Sequence, residues 1–408
     1  MDLLSPGADR RARPLVFEAL CALLAATALV VLLGRVTNRI EPAELSFDEK
    51  LYVKMAAEGP LEARPRTAPF AYRPGTVLVV RGIARIAGIP PERAYAVLTA
   101  GALPIFLALL YFLARLHTRS KWRAVVATLL AGLSYSTVKR LLFNPISPDG
   151  LGLVLVTLGA ILVAQGRMYA LAGVTAAGVL CREFVLLPAL AAALQGLGHI
   201  RSRWQEALRA LVPLGAGLLV AGALRLAIRV ESTAQHVDPL VAATWGNALQ
   251  VFDTAWFLNA AGACLTFLWP LSVVPWRHDN TRGVLPPWLR IYALALAGVV
   301  LFAGSNFMWI VAYFAPFLVV AWVVKAPSGR SLDLVLLWLV MVVNRTLEPI
   351  PSPRNFDAYV GHMAFFGSRL DLSTGVRALV LAAAVATYLG LATLVREGSQ
   401  SRRPEAGP

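Results

Sequence analysis

Charged residues are scarce in this chain. Only 15% of its 408 residues are Asp, Glu, Lys or Arg, against roughly 25% in an average soluble domain. A soluble fold of this length needs a solvated polar surface, and the residues to build one are missing. Acids are the scarcer sign: 23 Asp and Glu face 38 Lys and Arg, a formal net charge of +15. That excess does not describe a nucleic-acid binder, because the cations are scattered between apolar blocks and form no single basic face. The three cysteines, Cys21, Cys181 and Cys264, are too few for a disulfide framework, and each sits in or beside an apolar stretch as a packing residue. Five scattered histidines, among them His236 and His362, show no metal-ligand spacing. No internal repeat is present.

Apolar length is what the chain has in quantity, at 58% hydrophobic residues. It comes in blocks near 15–33, 94–114, 124–138, 150–164, 168–180, 184–197, 208–228, 254–274, 289–304, 306–324, 332–343 and 376–395. About 20 helical residues cross the ~30 Å hydrocarbon core of a bilayer. The blocks therefore predict an all-α polytopic membrane protein that crosses about twelve times, with residues 1–395 as a single membrane domain. The tail 396–408, rich in Ser, Gly, Pro and Arg, is expected to be disordered. Small residues at a cleavage site are missing after the first block, where Gly34-Arg35-Val36-Thr37-Asn38-Arg39 follows. A retained first helix is expected there in place of a signal peptide.

Short loops set the orientation through the positive-inside rule. The N-terminal arginines, the Arg115–Arg123 loop, Arg277 with Arg282, the Lys325–Arg330 loop and the tail arginines fall on one side if crossings alternate. Both termini are then expected to be cytoplasmic, with the loops 35–93, 229–253 and 344–375 facing outward. This parity requires 168–197 to split at Cys181-Arg182-Glu183 into a hairpin of two short helices. The outer loop 35–93 holds ten Lys or Arg and seven Asp or Glu, an unusual number of cations for an outward segment.

Several residues in these segments carry chemistry. Asp48 and Glu49 open an amphipathic stretch, Phe47 to Ala56, whose apolar spacing fits a helix on the membrane surface. Carboxylates at a helix start are also ordinary capping groups, and both readings stand. In Pro69-Phe70-Ala71-Tyr72-Arg73-Pro74, Arg73 is placed either to pair with a phosphate or to snorkel toward headgroups. Ser147 or Asp149 is suited to cap the helix that follows Asn144-Pro145-Ile146-Ser147-Pro148-Asp149-Gly150, with Lys139 and Arg140 ending the preceding one. Arg182 and Glu183 are ionisable residues between two apolar segments, a costly arrangement that usually marks a cavity or a partner. Trp309, Tyr313 and Trp322 read as packing or interface aromatics.

In this order, the motifs resemble the GT-C superfamily of membrane glycosyltransferases, in its bacterial polyprenyl-phosphate-sugar-dependent group of ArnT-like and Rgt-type enzymes. The matching features are the basic start, the first helix, Phe47-Asp48-Glu49, Tyr52-x-x-Met55-Ala56, the Pro69–Pro74 turn, Ser147-Pro148-Asp149-Gly150 and Arg182-Glu183-Phe184. The resemblance covers roughly residues 1–200. It implies a GT-C-like bundle with outer-face juxtamembrane helices in a bacterial inner membrane. It also implies transfer of a sugar from a polyprenyl-phosphate donor to a lipid, glycan or protein acceptor at the extracytoplasmic face. Asp48, then Glu49, would be the general base or would position the acceptor hydroxyl. Arg182 would hold the lipid phosphate, supported by Arg73, Lys139 and Arg140, with Tyr72, Asp149 and Glu183 in the same substrate site. The acids are adjacent and not spaced as Asp-x-Asp, so a divalent metal is an option and not a requirement. The stretch Gly304–Trp309 departs from the family in having no Arg or Lys. Two other classes fit the composition: a transporter or lipid flippase, with Arg182, Glu183 and Asp149 along a path, and a glycan polymerase or ligase using loop 344–375.

Overall fold

In a bilayer only helices and closed barrels satisfy their own backbone, and the apolar blocks of this chain form helices. The computed structural model describes residues 8–68, 70–229, 232–233, 254–274, 284–302, 307–326, 329–350, 354 and 372–400. The first helix, α1 (Ala8–Val36), leads through a short turn to α2 (Phe47–Glu58) and α3 (Pro74–Ala87). Next come α4 (Pro91–His117), α5 (Lys121–Gly132), a π-turn at Tyr135–Lys139, α6 (Arg140–Phe143) and α7 (Asp149–Ala164). They are followed by α8 (Met168–Val179), α9 (Leu186–Leu197) and α10 (Trp204–Ala227). The later helices are α11 (Thr254–Leu268), α12 (Pro287–Phe302), α13 (Phe307–Ile310), α14 (Ala315–Lys325), α15 (Arg330–Val343) and α16 (Leu372–Gln400). One two-residue parallel bridge pairs Thr67–Ala68 with Ser232–Thr233.

Three of these helices are long and apolar enough to cross a membrane: Phe17–Val36 within α1, α4 and α10. Their outward residues are large and apolar, such as Phe17, Leu24, Leu219 and Leu226, as lipid-facing helices require. Together they point to a membrane protein. The pair made of α5 and 135–143 adds a fourth if its 49° bend lies within one span. Among the described residues three helices, or four with that pair, are of spanning length, fewer than the expected twelve. Among the described residues seven further apolar helical stretches count 10–17 residues each, the last of them within the 29-residue α16, and a helix of 12 residues such as α8 rises only ~18 Å against ~30 Å of hydrocarbon. The apolar blocks are interrupted by turns that composition alone does not reveal.

Two interruptions shape the region of interest. At 133–134 the bend frees backbone groups, and the loop after α15 takes them up. The Tyr135 N–H donates to Asn344 Oδ1 at 3.1 Å, and the Thr346 hydroxyl donates to the Leu133 carbonyl at 2.7 Å. At 180–185 the chain breaks where the split was expected, with Arg182 in extended backbone and a 3-10 turn at Glu183–Val185. Gly159 of α7 lies against both Leu171 of α8 and Pro188 of α9, so the two helices share a neighbour across the break. Helix α10 packs along both. The Gly75 N–H donates to the Leu180 carbonyl at 2.8 Å, which docks the start of α3 on this break.

Helix α2 leaves one face exposed, with Phe47, Lys50, Lys54 and Glu58, and packs the other against the protein. It buries Leu51, Tyr52, Met55 and Ala56 in a small core with Phe70, Val77, Val80 and Tyr95 from the 70–72 turn, α3 and α4. Helix α16 continues to Gln400, into the expected tail. Residues 234–253, 304–306 and 355–371, and the tail from 401, lie outside the described residues, and His236 and His362 with them.

The docking of α3 on the break gives a direct test. A Cβ at Gly75 would stand 2.8 Å from Cys181 Sγ and 3.0 Å from the Leu180 carbonyl carbon, whereas one at Gly82 on the same helix meets nothing within 4 Å. Gly75→Val is expected to lower unfolding free energy in mixed micelles by about 1–3 kcal/mol, the usual range for overpacking. Gly82→Ala is expected to be neutral or to gain about 0.5–1 kcal/mol from helix propensity.

Candidate functional site

The break at 180–185, the start of α7, the start of α3 and the first turns of α2 meet at one end of the bundle, and ionisable side chains from all four converge there. Arg73, at the N-terminus of α3, forms a two-pronged pair with Glu183: Nε to Oε2 at 2.9 Å and Nη2 to Oε1 at 2.5 Å. Its remaining Nη1 donates to the Tyr52 hydroxyl of α2 at 3.0 Å. The Arg73 side chain is 9% exposed and that of Glu183 45%, so the carboxylate stands at the open edge and the guanidinium behind it. Burial alone pushes the pKa of Arg73 down; the Glu183 carboxylate and the Tyr52 oxygen push it back up, above its ordinary value. Burial holds the Tyr52 phenol above its usual pKa despite the nearby Arg73 and Arg182, so it remains a neutral hydroxyl.

Asp149, at the start of α7, is the second centre. Its Oδ2 accepts from the Ser147 hydroxyl at 2.7 Å and lies 3.4 Å from Arg140 Nη1. Its Oδ1 accepts from the Tyr313 hydroxyl at 2.9 Å and lies 3.0 Å from Arg182 Nε. The Ser147 oxygen in turn accepts the Asp149 N–H at 3.1 Å, which seats the carboxylate at the helix start. Arg140 stacks over the Trp309 ring with its guanidinium carbon 4.0 Å from the centroid, and Arg182 lies 5.0 Å from the Phe184 centroid. Both stacks keep apolar faces of the guanidinium groups covered. Along the site the charges alternate, from Arg73 through Glu183, Arg182 and Asp149 to Arg140. In so dry a setting only such mutual compensation keeps ionised groups folded in.

Arg182 differs from the other two arginines. Its side chain is 11% exposed, and Nε, though 3.0 Å from Asp149, lacks the alignment of a hydrogen bond. Among the described residues, neither of its terminal nitrogens donates to a protein acceptor. The site thus offers guanidinium N–H groups, fixed in place, to an anion.

The remaining residues expected from the sequence divide clearly. Asp48 is the second residue of α2, half-buried, one turn before Tyr52 on the same helix. Glu49 is buried and committed to structure: it accepts from the Ser46 N–H at 2.8 Å and from Asn144 Nδ2 at 2.6 Å, which ties α2 to the loop before Asp149. Tyr72 is partly buried beneath the Arg225 guanidinium of α10, 5.8 Å from its ring centroid. Lys139 does not join the cluster. Its Nζ donates to the Arg345 and Glu348 carbonyls at 2.5 and 2.7 Å, where it takes up acceptors left by the end of α15. Among the described residues no group of three or more His, Cys, Asp or Glu is arranged to hold a metal.

Sequence reasoning passed over Tyr52, Ser147, Asn144, Trp309 and Tyr313 as members of the site. Tyr52 had a local signal, since it follows Asp48 by one helical turn. Trp309 and Tyr313 had none, because their partners are more than 150 positions away.

Asp149 is buried between two arginines, so its charge supports both. Asp149→Asn is expected to lower unfolding free energy by about 3–5 kcal/mol, the range for stranding a buried charge. A loss below about 1 kcal/mol in micellar unfolding would show that solvent already compensates these groups.

No protein-family model matches this chain, and no curated protein matches it either.

Proposed function

We propose that this protein is a membrane glycosyltransferase of GT-C type that takes a sugar from a polyprenyl-phosphate donor and passes it to an acceptor at the extracytoplasmic face. The observation that carries the reading is Arg182: a nearly buried guanidinium, compensated on one side by Asp149, with terminal nitrogens that have no protein acceptor among the described residues. A phosphate presents pairs of oxygens that can accept two N–H bonds from such a group. The many cations of segment 35–93 fit the same anionic partner.

In this reading the acceptor hydroxyl attacks the anomeric carbon while the bond from that carbon to the phosphate oxygen breaks. The hydroxyl proton passes to Asp48, and the departing lipid phosphate keeps the electron pair. Arg182 stabilises the charge that develops on it, an effect enlarged where water is excluded. Arg73 and Glu183 hold the break that presents Arg182, and Arg140 balances Asp149. Glu49 and Lys139 serve the frame and stand outside the chemistry. The twelve-segment bundle belongs to this proposal, with the short apolar helices crossing as broken or paired segments. Helix breaks also occur in transporters, but the groups freed at 133–135 are filled by Asn344 and Thr346 and are not left to coordinate an ion.

The test is sugar transfer by the protein in vesicles supplied with a polyprenyl-phosphate sugar. Asp48→Asn is expected to lower kcat about 10²–10⁴-fold, the usual contribution of a general base. Arg182→Ala is expected to lose a similar factor, and Glu49→Gln is expected to change stability more than rate. Full transfer by both Asp48→Asn and Arg182→Ala, in folded protein, would refute the assignment. Lipid movement across the bilayer without any sugar transfer would favour a flippase.

A further inference from the structure

Tyr313 belongs to the half of the chain where the sequence offered no motif, yet its hydroxyl is the one that meets the Asp149 carboxylate beside Arg182. Its position is fixed from three sides. The Tyr292 hydroxyl of α12 donates to the Tyr313 carbonyl at 2.5 Å. The Phe184 ring meets the Tyr313 ring edge-on at a centroid distance of 4.8 Å, and Gly152 leaves room for the hydroxyl, since a Cβ there would stand 2.6 Å from it. Trp309 precedes Tyr313 by four residues and stacks on Arg140, so one short segment contacts both sides of the Asp149 charge network.

The Asp149 oxygens are shared unequally. Oδ2 takes Ser147 and Arg140, whereas Oδ1 takes Tyr313 and has Arg182 Nε nearby without an aligned hydrogen bond. A carboxylate next to an arginine ordinarily draws it into a two-pronged pair, as Glu183 does with Arg73. Asp149 does not: its Oδ1 already accepts the Tyr313 hydroxyl, and its Oδ2 is taken by Ser147 and Arg140.

We infer that Tyr313 is a positioning residue: by occupying Asp149 Oδ1 it keeps Arg182 from closing onto that carboxylate, and so leaves the terminal nitrogens of Arg182 to a phosphate ligand. The inference rests on the reading of Arg182 as the phosphate-binding group. Without the Tyr313 hydroxyl, Arg182 turns toward Asp149 and two of its donors leave the ligand side. A phosphate monoester on a lipid and free phosphate present the same oxygens, and the two are separated by the probe used.

The experiment measures binding of polyprenyl phosphate in detergent micelles, and separately of inorganic phosphate, to the full-length protein. Wild type, Tyr313→Phe, Gly152→Ala and Arg182→Ala are compared. Tyr313→Phe is expected to bind about fivefold more weakly, the fold-change of one hydrogen bond of roughly 1 kcal/mol, with its ligand-free melting temperature within a few degrees of wild type. Gly152→Ala, whose Cβ would stand 2.6 Å from the Tyr313 hydroxyl and 3.2 and 3.3 Å from Cβ and Cγ of Arg182, presses on both groups and is expected to weaken binding at least as much as Tyr313→Phe. In the transfer assay both raise the donor KM and leave kcat within about twofold, a split that general damage to the fold does not produce. If Arg182→Ala abolishes binding while Tyr313→Phe and Gly152→Ala keep wild-type affinity, the role of Tyr313 is overturned and the phosphate reading stands. If wild type binds neither probe, or Arg182→Ala binds as wild type does, both fall. Loss confined to polyprenyl phosphate assigns the site to the lipid-linked ligand; equal loss for both probes assigns it to the phosphate group alone.

Discussion

A carboxylate sealed among two guanidinium groups, a tyrosine and a serine organises this end of the molecule. Asp149 is 1% exposed, and taking an ion of that size out of water has a penalty of several kcal/mol even after relaxation. The penalty is tolerable only if partners arrive from every side, and they do: Ser147 beside it and Arg140 from the preceding α6, then Arg182 from the break between α8 and α9 and Tyr313 from the turn before α14. Each partner fixes an element. The cluster is therefore a tie among four segments, and any function placed here depends on charges that cannot be moved singly.

Broken helices make such a cluster feasible. A continuous helix directs its backbone groups inward to itself and spaces its side chains evenly along the axis. A break releases several donors and acceptors and turns the neighbouring side chains toward a common point. The released groups must then be satisfied. At 180–182 the amide of Gly75 does so, and the same contact brings Arg73 to Glu183. At 133–135 the groups are satisfied by Asn344 and Thr346, with Lys139 closing the other side of that loop. The two breaks are alike in origin and opposite in outcome. One exposes a partly accessible arginine, and the other is filled by its own protein.

Glu49 and Lys139 illustrate why charge in a sequence is ambiguous near a membrane. Both are ionisable residues beside apolar segments, which marks them for function or for structure alike. Glu49 turns out to join the start of α2 to Asn144, and Lys139 to hold the carbonyls of Arg345 and Glu348. Arg182 and Glu183 carried the same mark and sit at the open edge. What separates the two outcomes is whether the surrounding chain supplies a full set of partners, and no local pattern reports that.

Some of this was readable from residues alone. The shortage of charge and the long apolar blocks of α1, α4 and α10 specify lipid-facing helices, because water cannot solvate them and lipid can. The pair Arg182-Glu183 between two apolar runs specified a break, since ions of that kind do not persist mid-helix among apolar neighbours without a turn to relieve them. The ends of α5, α8 and α9 came from turns that composition averages away. Which acid meets which arginine, the withdrawal of Lys139 from the cluster and the arrival of Tyr313 from the second half were settled by packing. Electrostatic compensation acts through space over a few ångströms, and in this chain it joins residues that lie more than a hundred positions apart.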